Sequence, residues 1–404
     1  MIKDFNDILS TNSKRMKKSA IRELLKLTNK PGLISFAGGL PSPLTFPIKE
    51  LKEITCEILE NDGHAALQYS TTEGDNQLRT LLAKRYADQG LKITMNNIVI
   101  TTSSQQGLDL IPKVFIDPGD KIIVELPSYL GGISSFHNYG ADMIGIEHDK
   151  YGMSSLKLEE VLAELKAKGE KPKFIYIIPD FQNPAGVTMP EFRRKEIVDI
   201  ADKYDILIVE DSPYRELRFE GEPQKTIYQL ADNGKVILLG TFSKIFVPGF
   251  RIGWVIGHET VLDRIVTAKQ STDLCTSAFV QKIAAKYIEK GYFDKNIKNI
   301  ISMYKEKKDV MMEAFAKYLP EGVTWTNPEG GLFLFVTLPE GMDSEKLFIK
   351  AVENDVAFVI GKVFHCDESG KNTMRINFSF ATKEEIVEGV KRLGKAIKEM
   401  IDKK

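Results

Sequence analysis

In residues 206–258 three short apolar runs, ILIVED (206–211), VILLGT (236–241) and GWVIGH (253–258), are separated by polar segments. The second runs straight into Phe242-Ser243-Lys244. Runs of this length, rich in Ile and Val, suit strands buried on both faces. Three more lie upstream, NIVITT (97–102), KIIVEL (121–126) and FIYIIP (174–179), with helical patterns between them. Strands alternating with helices imply an α/β fold with a mostly parallel sheet covered on both sides. In such a fold the chemistry is expected at the carboxyl ends of the strands.

Past residue 290 the texture changes. A long helix over about 296–319 leads to strands around 331–337, 356–361 and 374–379. A last amphipathic helix comes after them, capped by Thr382 with Lys383, Glu384 and Glu385 in its first turn. The division expected is an arm and helix over 1–45, a large domain over 46–290 and a smaller α+β domain over 291–404. The arm is basic (Lys14, Arg15, Lys17, Lys18) and leads into a helix that Pro31-Gly32 ends.

Bulk properties exclude several classes. With 404 residues, 43% apolar and 27% charged, the chain is neither disordered nor fibrous. Its 55 basic residues against 56 acidic ones argue against nucleic acid as the main partner. Three cysteines without CxxC spacing and five histidines without ligand spacing argue against a disulfide framework or a metal site. No apolar run reaches a membrane span, and the first ten residues carry Asp4 and Asp7 where a signal peptide needs a basic region. A soluble, cytoplasmic protein in a reducing compartment is the expectation.

The residues just past each strand are informative as a set. Ser103-Ser104-Gln105 opens a helix, which suits either a cap or an anion site. Tyr129 comes after the second strand, and Asn183 stands in the turn Phe181-Gln182-Asn183-Pro184-Ala185-Gly186. Asp211 ends a largely apolar strand, where an unpaired carboxylate is costly, so it needs a cationic partner or a helix to cap. Lys244 comes just past a buried strand, after Thr241 and Ser243 and seven residues before Arg251. An amine suits an aldehyde. Hydroxyls, a helix start and an arginine suit a phosphate, and a carboxylate with an aromatic suits a protonated ring. Pyridoxal 5'-phosphate (PLP) carries all three groups.

With Asn183-Pro184-Ala185-Gly186, Asp211-Ser212-Pro213-Tyr214, Ser243-Lys244, Arg251-Ile252-Gly253 and Met374-Arg375-Ile376-Asn377, the chain resembles the fold type I PLP-dependent aminotransferases of class I/II. The segments 21–44, with Gly38-Gly39-Leu40-Pro41, and 67–74 are similar to the branch holding 2-aminoadipate, kynurenine and aromatic aminotransferases. The resemblance implies a large domain with a mostly parallel seven-stranded sheet and a homodimer with shared active sites. It implies a ping-pong exchange of amino groups between an acidic or aromatic amino acid and a 2-oxo acid such as 2-oxoglutarate.

It also implies roles. Lys244 would hold PLP as an aldimine and then move the proton. Asp211 would pair with the ring nitrogen, its carboxyl held below the ordinary value of about 3.9 by that cation. Asn183 and Tyr214 would bond the phenolic oxygen, with Tyr129 stacked on the ring. Ser104, Gln105, Thr241, Ser243, Arg251 and Tyr69 of the neighbouring subunit would hold the phosphate. Arg375 and the Gly39 amide would bind the substrate carboxylate, and Arg22 would meet the distal carboxylate of acidic substrates. One departure is Val359-Ile360-Gly361-Lys362, which keeps the family's glycine and lacks its proline. Other PLP chemistry at Cα, such as β-elimination, would use the same cofactor site. A ligand-sensing domain of a transcriptional regulator is disfavoured, because the resemblance begins near residue 20 and leaves no room for a DNA-binding module.

Overall fold

The computed structural model describes residues 4–16, 30–231 and 233–402. Its main sheet has eight strands: β1 (Ile98–Thr102), β2 (Lys121–Leu126), β3 (Asp142–Asp149), β4 (Gly152–Met153), β5 (Phe174–Ile177), β6 (Leu207–Asp211), β7 (Val236–Thr241) and β8 (Ile252–Ile256). The spatial order is β1-β8-β7-β6-β5-β2-β3-β4. Neighbours from β7 through β3 pair in parallel. Strand β8 is antiparallel to both β7 and β1, and β4 is antiparallel to β3. The sheet thus has one strand more than expected, the two-residue β4 that folds back on the edge.

Alternation along the apolar runs explains why both faces are covered. Ile123, Ile175, Ile177 and Ile208 pack on one side with Leu158, Leu162 and Ile197 from the helices Ser155–Ala167 and Glu191–Tyr204. Ile122, Val124, Phe174 and Val209 face the other side, against Leu108, Ile111, Phe136 and Ile265. Successive side chains point to opposite faces, so a run apolar at every position needs a layer on each.

A second sheet, β9 (Thr324–Trp325), β10 (Phe333–Thr337), β11 (Val359–Ile360) and β12 (Thr373–Asn377), runs in the order β9-β10-β12-β11 and is antiparallel throughout. The helices Tyr292–Tyr318 and Lys383–Ile401 accompany it, and Thr382 closes the latter with a reciprocal capping box to Glu385. The run 356–361 is not one strand. Val356–Ala357 pairs in parallel with Ile34–Ser35, and only Val359–Ile360 joins the sheet. The segment after residue 30 is therefore stitched to the C-terminal part, also by the Lys30–Asp355 ion pair. No helix among the described residues is long and apolar enough to cross a membrane.

Candidate active site

Strands β1, β2, β5, β6 and β7 all end at one edge, and the segments leaving them converge there. A cavity of about 370 Å³ is lined by Gly39, Ser104, Gln105, Tyr129, Asn183, Asp211, Tyr214, Thr241, Ser243, Lys244, Arg251 and Arg375, together with Ser103 and Phe333. Residues that the sequence scatters from 39 to 375 meet in one place. Tyr69 is not among them: it lies after the helix Ile48–Ala66 and is 79% exposed. Arg22 falls outside the described residues. A larger cleft of about 610 Å³, around His148, Tyr151 and Asn327, has no lysine beside a free buried carboxylate oxygen.

Lys244 Nζ donates to the Gly39 carbonyl at 2.7 Å. Gly39 thus meets Lys244 through its C=O. Burial, followed by the Arg375 and Arg251 charges, pulls the Lys244 amine down to about 8. Asp211 accepts from the Tyr176 hydroxyl at 2.9 Å through Oδ2, while its buried Oδ1 has no partner. Its carboxyl is pushed up to about 7, first by burial and further by Glu125 and Glu210, with Tyr176 acting the other way. This reverses the expected lowering. The expectation counted a cation that belongs to the cofactor ring, whereas the protein's own charges acting here are carboxylates.

Around the phosphate-type residues the backbone is tightly set. Ser103 and Arg251 both sit at positive φ, 60° and 53°, which costs on the order of 1 kcal/mol each. They hold each other: Ser103 N–H donates to the Arg251 carbonyl at 3.0 Å and Arg251 Nη2 to Ser103 Oγ at 2.5 Å. Ser103 begins the helix Ser103–Phe115, so the guanidinium and the free N–H groups of the helix start share one corner. Gly253 permits this: a Cβ there would fall 2.4 Å from the Ser104 amide nitrogen. Thr241 Oγ1 donates to the Ile252 carbonyl and accepts from the Ser243 N–H at 3.1 Å each. Gln105 holds Tyr129, whose hydroxyl donates to Gln105 Oε1 at 3.3 Å. The sequence offers Ser103 with Ser104 and Gln105 as one helix-start anion site, while the resemblance gives a phosphate role to Ser104 and Gln105 alone; all three line the cavity.

Arg375 Nη1 donates to Asn183 Oδ1 and Nη2 to the Ala37 carbonyl, both at 2.9 Å, and Nε has no partner. Asn183 Nδ2 in turn donates to the Tyr214 hydroxyl at 3.1 Å. The guanidinium lies over Phe333 at 4.1 Å and Phe364 at 5.0 Å from the ring centroids. Phe364 comes from the short turn Gly361–Phe364, beside the departure at residues 359–362. A Cβ on Gly361 would strike Thr373, which accounts for the glycine.

An amine of lowered basicity, a free buried carboxylate oxygen, a helix start with an arginine and an aromatic wall fit PLP. Residues 33–393 match the model of the class I and II aminotransferases. The chain belongs to that family. It is 49% identical over 401 residues to aromatic-amino-acid aminotransferase 1 of Thermococcus litoralis, covering 99% of this chain and 96% of that one. It superposes on the crystal structure of Pyrococcus horikoshii kynurenine aminotransferase in complex with PMP with a TM-score of 0.95, at 47% identity and 99% of each chain. With the alpha-aminoadipate aminotransferase of Thermus thermophilus, complexed with N-(5'-phosphopyridoxyl)-L-leucine, the TM-score is 0.92 at 37% identity, covering 99% of this chain and 100% of that one. This aminotransferase has the aspartate aminotransferase-like type I fold, and PLP is its cofactor.

Proposed function

We propose that the enzyme exchanges amino groups between an acidic or aromatic amino acid and a 2-oxo acid such as 2-oxoglutarate, in two half-reactions at one cavity. The observation that carries this reading is that the Lys244 amine, the free Asp211 oxygen and the Arg375 fork open on the same 370 Å³ space. The names of the relatives, covering aromatic, kynurenine and aminoadipate substrates, support a tolerant substrate pocket.

Bound PLP supplies an electron sink for the substrate carbanion. Lys244 would hold the cofactor through its amine and would serve as the base for the substrate Cα proton, a role that its lowered basicity favours. Asp211 Oδ1 would pair with the ring nitrogen, Tyr129 would face the ring, and Asn183 and Tyr214 would hold its phenolic oxygen. Ser104, Gln105, Thr241, Ser243 and Arg251 would take the phosphate, with Ser103 holding Arg251 in place. Arg375 grips the α-carboxylate in bidentate fashion, with the Gly39 backbone beside it.

We read the chain as an arm (1–45), a large domain (46–290) and a small domain (291–404), acting as a cytoplasmic homodimer. The exposed Leu40, Leu44, Ile48, Leu67 and Tyr69 support that assembly, in which Tyr69 and the arm complete the partner's site. Arg22 is assigned to the distal carboxylate of acidic substrates. The test is a single-turnover absorbance panel with glutamate, 2-aminoadipate, phenylalanine and alanine. Conversion of the bound cofactor to its amine form by an acidic or aromatic amino acid supports the reading, and failure of all of them contradicts it. Arg22→Ala is expected to raise KM for 2-aminoadipate at least tenfold and leave phenylalanine within about twofold.

A further inference from the structure

The buried tyrosine of strand β5 has no place in the roles above. Tyr176 is fully buried, and its hydroxyl donates to Asp211 Oδ2 at 2.9 Å from the strand beside that of Asp211. The other carboxylate oxygen, Oδ1, is left with no partner. Burial, followed by the Asp211 charge, holds the phenol well above its ordinary value, so the tyrosine is the donor. The ring is fixed edge-on against Phe136, with centroids 5.1 Å apart. On the helix Leu130–Asn138, Gly132 leaves room for it: a Cβ there would stand 3.0–3.2 Å from the ring atoms and the hydroxyl. That helix starts next to Tyr129, so one packing arrangement sets both the aromatic wall and the hydroxyl under Asp211.

We propose that Tyr176 is a positioning residue which occupies one oxygen of Asp211, keeps the carboxylate ionised and leaves the other oxygen aimed at the cofactor ring nitrogen. The inference rests on the role given to Asp211. A hydrogen bond to the charged form favours that form, and here it opposes burial and the charges of Glu125 and Glu210, which favour the neutral acid.

The test compares Tyr176→Phe with Asp211→Asn in the holoenzyme loaded with ring-15N PLP. For Tyr176→Phe the 15N resonance is expected to shift toward the unprotonated nitrogen, in the same direction as for Asp211→Asn and by less. Its kcat should fall about tenfold with KM for the amino donor within about twofold. An unchanged 15N shift with kcat within twofold overturns the inference while Asp211→Asn still shows its effect; if neither variant moves the resonance, the role of Asp211 itself fails. Gly132→Ala is the second variant, keeping the hydroxyl but pressing on the ring. It should produce a smaller shift of the same sign if the hydroxyl's placement matters, and none if it does not.

Discussion

Lys244 and Gly39 are 205 residues apart in the chain, and the lysine amine donates to the glycine carbonyl at 2.7 Å. The bond ties the arm, in which Ile34–Ser35 pairs with Val356–Ala357, to the lysine proposed to hold the cofactor. Arg375 Nη2 and Ser379 Oγ hold the same segment, at the Ala37 and Leu40 carbonyls.

The lysine's lowered basicity gives a pH prediction. An amine at about 8 is neutral in about a tenth of molecules at pH 7, against about one in three thousand for an ordinary lysine. The rate at which cofactor-free enzyme captures PLP, followed by absorbance, should therefore rise with pH and level off above about 8. A rise that continues toward 10.5 would show an ordinary lysine. Because the folded value lies below the unfolded one, the buried ammonium costs stability below about 8, and that cost fades as pH rises toward 10.5.

For Asp211 the sign is opposite. Its folded value of about 7 lies above the ordinary 3.8, so the cofactor-free enzyme loses stability as pH rises through that window, by roughly 4 kcal/mol at most. Asp211→Asn should flatten this slope. In thermal melts of the cofactor-free proteins, the variant's advantage is expected to grow from pH 5 to pH 8, and parallel curves would contradict the shift. In turnover the same variant should lose at least about a hundredfold in kcat with cofactor affinity less affected.

Replacing Arg375 with Lys keeps the charge and removes the fork that reaches Asn183 and Ala37. Steady-state kinetics should show KM for amino acids raised tenfold or more, with the absorbance spectrum of the bound cofactor unchanged. An unaltered KM would remove Arg375 from substrate binding.

Gly253→Ala tests the corner formed by Ser103, Ser104 and Arg251. The added methyl meets backbone at 2.4 Å, so β8 or the helix start must move, at a cost of about 1–3 kcal/mol. Equilibrium dialysis should show weaker PLP binding along with a lower Tm. Wild-type affinity would mean the corner does not hold the phosphate.

Much of the fold and the site is legible in the sequence because strands buried on both faces have a plain signature, and because the residues that end them have chemistry out of keeping with burial. The exceptions have physical reasons. Strand β3, DMIGIEHD, carries four ionisable residues and only partly buried apolar ones besides Ile146, so it lacks the continuous run that marks its neighbours. The 356–361 run reads as one strand because both its halves are buried, yet Phe358 separates pairings to two different sheets. Ser103 and Tyr176 act through hydrogen bonds to residues 148 and 35 positions away, a relation no local pattern records.

In the proposed function the buried amine of Lys244 carries the cofactor. Borohydride reduction of the PLP-loaded enzyme, followed by proteolysis and mass spectrometry, tests it most directly. One phosphopyridoxyl adduct is expected, on Lys244, and none in Lys244→Ala. An adduct on another lysine, or no adduct in a protein that turns over, would contradict it.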